Sequence, residues 1–505
     1  LLCTLGLFGD MPTISDIQNP SASQSSQVYA QDGTLLGKYY LQDRVNVEYK
    51  DIAKPIVDAL VATEDERFYD HSGIDFRSIV RAVIGLGRDG GASTITMQTA
   101  KNLFTENWAT KNFLVRGIQK FKEAIIAVKL EKNFTKEEIS LIYQKVKDYP
   151  WDSIANIESW DHGTNKSYLK ELCKYWITDF DWNKQETELN KFSNFTTSVD
   201  ENEIHFIKEK GSSPNSTPLL LMHGWPGSVV EFLDIIEKLA HPEKFGGDKK
   251  NSFDVITPSL PGFGFSSKPS KPIGPRKMAE IFNKLMTDNL EYKNYIVQGG
   301  DWGATIANWI GYDHSKSCKA IHINCLTMRH PDGPKSKQEE EWQKRFDEDQ
   351  IMQDGYRTQQ ATKPQTLSYG MMDSPVGIAA WIIEKMYSWS DLKDGDIESA
   401  YSKDTLLANI MVYIVTKTFN TASWIYYGRR EEGGRFFPKD FKKIEIPTAA
   451  AVFPAEMSEW PPRSYVDRMF NITQWTEMPS GGHFAAMEEP ELLVKDIVKF
   501  AKTIR

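Results

Sequence analysis

A chain of 505 residues is longer than a single hydrophobic core usually grows, so at least two domains are expected. With 40% hydrophobic and 26% charged residues it has the composition of a globular enzyme. Its formal net charge of -9 argues against a generic nucleic-acid binder, whose phosphate contacts need a basic surface. Cys3, Cys173, Cys318 and Cys325 show no CxxC or Cys/His spacing, so reduced thiols are expected, with neither a zinc site nor a disulfide framework.

The chain opens on an apolar stub, Leu1 to Gly9, too short to cross a bilayer, which takes about 20 residues. It reads either as the clipped end of a membrane anchor or signal peptide or as a hydrophobic tail. Membrane association through that end is left open, as is the choice between a cytoplasmic and a membrane-associated location. Residues 18–26 form a polar linker, and a strand-like stretch lies between Val28 and Val47. From Ile56 to about Glu138 apolar residues recur at helical spacing, interrupted by a glycine-rich loop at 87–92.

Tryptophan and tyrosine become frequent after about Ile139, and an alternating strand–helix rhythm begins near Pro218. Buried parallel strands are predicted at Leu219–Met222, Asp254–Thr257, Tyr295–Gln298, Ala320–Ile323 and Thr448–Val452. Met278, Ile281, Phe282, Leu285 and Met286 fall on one face of a helix between two of them. Such alternation implies a parallel sheet covered on both faces. Between about His330 and Asp440 the rhythm stops and the segment reads as helical, placed where a lid would sit.

The most specific motif is Gly299-Gly-Asp301-Trp-Gly303, after the apolar strand and before a helix start. It is a nucleophile-elbow pattern with Asp in place of Ser. A carboxylate there needs no base to become a nucleophile, and it can open a strained ether or displace halide to give an alkyl-enzyme ester. Upstream, His223-Gly-Trp-Pro226 follows another strand. The backbone N–H groups of Trp225 and Trp302 are expected to hold the oxyanion, with His223 a structural residue. Downstream, His483 lies in the loop Ser480-Gly-Gly-His-Phe484, and Glu456, just after the last predicted strand, is its expected acid. Glu459 and Asp467 are rivals for that role. The order nucleophile, acid, histidine suits an α/β-hydrolase.

With Pro258-Ser-Leu-Pro-Gly-Phe-Gly-Phe265, Asp373-Ser-Pro-Val-Gly377 and Trp475 to Phe484 added, these motifs resemble the microsomal-type epoxide hydrolases, which include the juvenile hormone epoxide hydrolases. The resemblance runs from about residue 142 to the end. It implies an N-terminal meander at 142–217, an α/β-hydrolase core at 218–329 and 441–505, and a helical cap at 330–440. It also implies two cap tyrosines that protonate the epoxide oxygen, at Tyr356 and Tyr426, with Tyr427 as the alternative to the second. A lipophilic epoxide and water would be the reactants, giving a vicinal diol, with no metal or organic cofactor. The cap aromatics Trp381, Tyr387, Trp389 and Phe419 are candidates to line an apolar pocket. The alternative within the fold is a haloalkane dehalogenase, which does not need the tyrosine pair.

The first 141 residues tell a second story. Glu64-Asp-x-x-Phe68-x-x-His71-x-Gly73, Gly91-Ala-Ser-Thr-Ile-Thr-Met-Gln98 and Lys120-Phe-Lys-Glu123 occur in the order found in peptidoglycan glycosyltransferase modules of class A penicillin-binding proteins, which resemble lysozyme. That resemblance implies a mainly helical partial domain with Glu64 as general base and Glu123 beside the departing diphosphate, Lys101 and Lys122 facing phosphate. Gln119 stands where Arg is usual. The module is expected to be truncated and inactive, whether by natural fusion or by a misjoined reading frame. A bifunctional envelope enzyme is the alternative.

Overall fold

The structure, a computed structural model, describes residues 26–29, 35–39, 52–68, 73–75, 78, 93–104, 120, 124 and 138–504. The chain divides into two compact units, Leu1–Leu141 and Ile142–Arg505.

In the first unit, strands β1 (Ser26–Tyr29) and β2 (Leu35–Tyr39) form an antiparallel pair with Val28 opposite Gly37. Among the described residues, helices Lys54–Glu64 and Ile95–Phe104 follow. The second starts where it does because Thr94 Oγ1 accepts from Met97 N at 3.0 Å, while Asp65 Oδ2 accepts from Ile95 N at 2.9 Å. Both bonds satisfy N–H groups that the helix itself cannot. Glu123, Lys122, His71 and the 87–92 loop lie outside the described residues.

The second unit is built on an eight-stranded sheet ordered β10-β9-β8-β7-β5-β6-β4-β3. Its strands are β3 (Asn194–Val199), β4 (Asn202–Glu209), β5 (Thr217–Met222), β6 (Phe253–Pro258), β7 (Tyr295–Gly299), β8 (Cys318–Ile323), β9 (Ile444–Val452) and β10 (Phe470–Glu477). Five of them coincide with the predicted apolar runs. The pairs β3–β4 and β4–β6 are antiparallel and the remaining pairs parallel. Strands β6 and β7 are buried along their whole length. Helices Leu233–Ala240 and Pro490–Ala501 pack on one another, as do Pro275–Lys284 and Asp301–Asp313, and the two pairs cover the strands as an α/β-hydrolase requires.

The sheet begins earlier than the rhythm near Pro218 suggests, because β3 and β4 come from residues 194–209. Strand β3 is an edge strand, exposed at its first three residues. Without a strict apolar alternation it carries no period to read. The other edge, β10, alternates no better.

The meander preceding the sheet contains helices Lys166–Thr178 and Trp182–Leu189, whose N-termini are capped by Asn165 and Asp181 side chains. Its residues reach the helices between 337 and 431: Trp160 stacks on Tyr387 with ring centroids 3.8 Å apart, and Tyr175 Oη donates to Asp404 at 2.9 Å. Those cap helices run Lys337–Gln353, Gly355–Thr362, Pro364–Met371, Pro375–Ser388, Lys403–Val415 and Phe419–Glu431. Among the described residues no helix is long and apolar enough to cross a membrane.

Candidate active site

Asp301 sits at the junction of β7 and helix Asp301–Asp313, in a left-handed backbone conformation with φ of +46°. For a residue with a Cβ this costs of order 1–3 kcal/mol, and the turn can be that tight only because its flanking residues lack side chains. A Cβ on Gly299 would lie 2.3 Å from the Gly303 carbonyl carbon, and one on Gly303 only 1.9 Å from Met222 O. The elbow thereby lifts the Asp301 carboxylate above the sheet at the positive end of the helix.

Asp301 is 9% exposed, and its carboxylate is held from two sides. Trp225 N donates to Oδ1 at 2.8 Å, and His483 Nε2 stands 3.3 Å from Oδ2, a distance of ion pairing without the alignment of a hydrogen bond. Trp302 N, the other expected oxyanion donor, makes no bond to the resting carboxylate among the described residues. On the far side of the imidazole, Nδ1 is 2.5 Å from Glu456 Oε1. Glu456 is brought there by the bridge between Ala455 and Gly482, where Ala455 N donates to Gly481 O at 3.1 Å. The rival acids go elsewhere: Glu459 pairs with Arg345 at 2.7 Å and Asp467 with Arg463 at 3.6 Å.

Burial by itself opposes a charged His483, but the Glu456 carboxylate, with Asp301 and Cys325 in contact, outweighs it and holds the imidazole well above its ordinary value. His223 shows the reverse. Burial pulls it down to about 4, and its ring bonds Gly224 O and Leu260 N, the structural role expected of it.

Over the carboxylate lies an aromatic cage. Trp225 stacks on Tyr356 at 5.2 Å and meets Tyr426 edge-on at 5.7 Å, and the two tyrosine rings are 5.9 Å apart. Burial, and then the Asp301 charge among other groups, drives both phenols above their usual range, so both keep their protons at neutral pH. Tyr426, not Tyr427, lines the cleft with Tyr356 and Asp301. Of the four cap aromatics singled out, Trp389 touches the site, packing on Tyr356 and on His483. Trp381 bonds Gln360, Tyr387 stacks on the meander and Phe419 is buried inside the cap.

Three features have no signature in the sequence pattern. Cys325 Sγ shares a group of atoms within 4.8 Å with His483 and Glu456, although no ligand spacing links them. Glu231 borders a small enclosed space with Asp301, His483 and Asn324, and burial raises its carboxyl to about 8. Four arginines line the cleft. Arg329, Arg357, Arg429 and Arg435 come from separate helices and loops, and no periodicity connects such positions. On the first unit, Glu64 is exposed and accepts a bond from Gln98 Nε2 at 2.9 Å.

Fold and site together define an α/β-hydrolase whose elbow presents a carboxylate. Family models agree in detail: the epoxide hydrolase N terminus matches residues 127–232, the alpha/beta hydrolase fold 217–372, and a transglycosylase model 32–150. Epoxide hydrolase 1 of Oryctolagus cuniculus is 34% identical over 394 residues, covering 72% of this chain and 86% of the relative. Juvenile hormone epoxide hydrolase 2 of Ctenocephalides felis is 33% identical, covering 72% and 83%. The crystal structure of the juvenile hormone epoxide hydrolase from Bombyx mori superposes with a TM-score of 0.65 at 28% identity, covering 73% of this chain and 92% of that one. The chain therefore belongs to the epoxide hydrolase family, with a transglycosylase segment at its N-terminal side.

Proposed function

We propose that the second unit opens a lipophilic epoxide to a vicinal diol in two steps. Asp301 Oδ2 attacks an oxirane carbon, the C–O bond breaks, and the oxygen takes a proton from Tyr356 or Tyr426, leaving an alkyl ester on Asp301. His483 passes its resting proton to the tyrosinate and then removes a proton from water. The hydroxide adds to the ester carbonyl, and the carbonyl re-forms as the diol's alkoxide leaves and takes that proton from His483. The freed Asp301 acid returns its own proton to His483 to restore the ion pair. Oδ1, already on the Trp225 N–H, becomes the oxyanion. One such donor is worth roughly 100- to 1,000-fold in kcat. The Trp302 N–H joins it as the tetrahedral centre forms.

The ion pair times the histidine. At rest Asp301 and Glu456 both favour its charged form. Esterification removes the Asp301 charge, so the proton is held less tightly when a base is needed. The observation that carries this reading is the division of labour at Asp301, with one oxygen on a backbone N–H and the other facing His483 beneath two protonated tyrosines.

The test is a single turnover of styrene oxide by excess protein in oxygen-18 water. Unlabelled diol is expected, because the new hydroxyl oxygen comes from Asp301. Label in the diol at the first turnover would mean direct attack by water. Turnover of a chlorinated alkane with no epoxide opened would transfer the site to dehalogenation.

For the N-terminal segment we infer no glycosyl transfer. The transglycosylase match runs on to residue 150, past the start of the hydrolase unit at Ile142, so its last stretch is shared with the epoxide hydrolase match.

A further inference from the structure

Asp301 stands between two spaces. The cleft is lined by Tyr356 and Tyr426, and a smaller chamber by His483, Glu231, Gln298 and Asn324; among the described residues Asp301 alone lines both. The proton donors for an epoxide oxygen therefore face one compartment, and the base for water faces the other. The chamber has room for about one water, too little for an epoxide.

Its walls carry polar groups that the protein itself does not satisfy. Gln298 Nε2 donates to Asn324 Oδ1 at 2.8 Å, but Gln298 Oε1 has no partner although the residue is 1% exposed. His483 Nε2 likewise makes no aligned hydrogen bond. Buried groups in that state are rare in folded proteins unless a water completes them.

Glu231 is the third such group. It lies in the short turn Val229–Phe232, which follows β5 and the His223-Gly-Trp-Pro226 motif. The cap fixes the approach to that turn, with Asn409 Nδ2 donating to Pro226 O at 2.8 Å and Tyr413 Oη to Gly227 O at 2.7 Å. The carboxyl reaches the chamber because Gly227 has no side chain; a Cβ there would fall onto Glu231 Oε1. Asp301 and His483 face Glu231 across the chamber, and the phenols of Tyr401 and Tyr413 face it from the cap. Its carboxyl is raised to about 8, chiefly by burial, so near neutrality it offers an O–H donor as well as an acceptor. In that form it adds no charge to compete with Asp301 for the His483 proton.

We propose that the chamber supplies the water that hydrolyses the Asp301 ester, and that Glu231 and Gln298 hold that water against the ester carbonyl. This rests on the ester reading of Asp301 and adds to it the origin of the water and the side chains that place it. One water proton goes to His483 Nε2, and the other is shared with Gln298 Oε1. Glu231 donates to the water oxygen, which keeps a lone pair toward Asp301 Cγ. The oxygen bonds Cγ, and the diol's alkoxide leaves and takes the proton from His483. A chamber that closes around one water also shuts larger nucleophiles away from the ester.

The experiment times ester formation and ester hydrolysis separately, in acid-quenched single turnovers of styrene oxide by the full-length protein, with mass spectrometry of the Asp301 peptide. Glu231→Leu is expected to slow hydrolysis by on the order of 100-fold, the scale of a reactant misplaced by about an ångström, while the ester forms as fast as before. Glu231→Gln keeps a donor and an acceptor in that place and should recover most of the loss. Equal slowing of both steps, or hydrolysis untouched by Glu231→Leu, overturns the proposal. A second measurement needs no variant to fold. Turnover by the unaltered protein in hydroxylamine should leave Asp301 unmodified, whereas a hydroxamate at Asp301 would show the ester open to bulk nucleophiles and overturn the proposal. If diol is made with no ester ever present on Asp301, the reading of Asp301 itself falls, and this proposal with it.

Discussion

Glu64 and Asp301 are both carboxylates that the sequence puts forward for catalysis, and the two units give them opposite surroundings. Glu64 closes a helix, lies exposed, and shares one bond with Gln98. Asp301 is buried, with one oxygen on a backbone N–H from 76 residues upstream and the other against a histidine that is itself backed by Glu456. Water screens an exposed acid from the charges around it. A buried one answers to whichever few groups the fold has placed around it. A motif names the acid, and the surroundings decide what the acid can do.

The comparison is broken most sharply by removing each carboxylate in turn. Asp301→Ala is expected to abolish diol formation, a loss beyond about 10,000-fold of the kind seen when a nucleophile is removed. Glu64→Gln should leave epoxide turnover within error. Equal losses from both would mean that the units act as one enzyme. The same contrast predicts no binding of moenomycin, a glycosyltransferase inhibitor, by the full-length protein, and saturable binding by calorimetry would restore the bifunctional reading.

A smaller effect sharpens the picture around Asp301. Tyr356→Phe and Tyr426→Phe should each lower kcat/KM by on the order of 100-fold, the usual contribution of a general acid. The double variant should approach the uncatalysed protonation limit. A loss confined to one tyrosine would assign the proton transfer to it and leave the other as packing.

The smallest effect is on stability. Glu231 has its carboxyl raised to about 8 by burial, above the ordinary value of 4.5. Between those values the folded state keeps a proton that the unfolded state gives up. The contribution of this group is therefore complete below pH 4.5 and is lost as the pH climbs to about 8. Glu231→Gln should leave the melting temperature nearly unchanged at pH 4.5 and raise it by a few degrees at pH 8. Parallel melting curves at the two pH values would show that Glu231 does not carry the proton.

The sequence by itself determined the parts that depend on local pattern. Strands β5 to β9 are legible because each is an apolar run buried on both faces. The elbow is legible because only glycine fits at positions 299 and 303 around Asp301. The order of Asp301, Glu456 and His483 along the chain follows from the fold that the strands announce. What only the tertiary structure decided depends on contacts between distant positions. Glu459 and Asp467 are carboxylates like Glu456, but in the fold they pair with Arg345 and Arg463 while Glu456 meets His483. Tyr426 and Tyr427 are neighbours, and the rotation of one helix chooses which of them shares the cleft with Tyr356. The edge strands β3 and β10 and the four arginines of the cleft left no periodic trace. Periodicity records which side of an element is buried, and says nothing of which other element it is buried against.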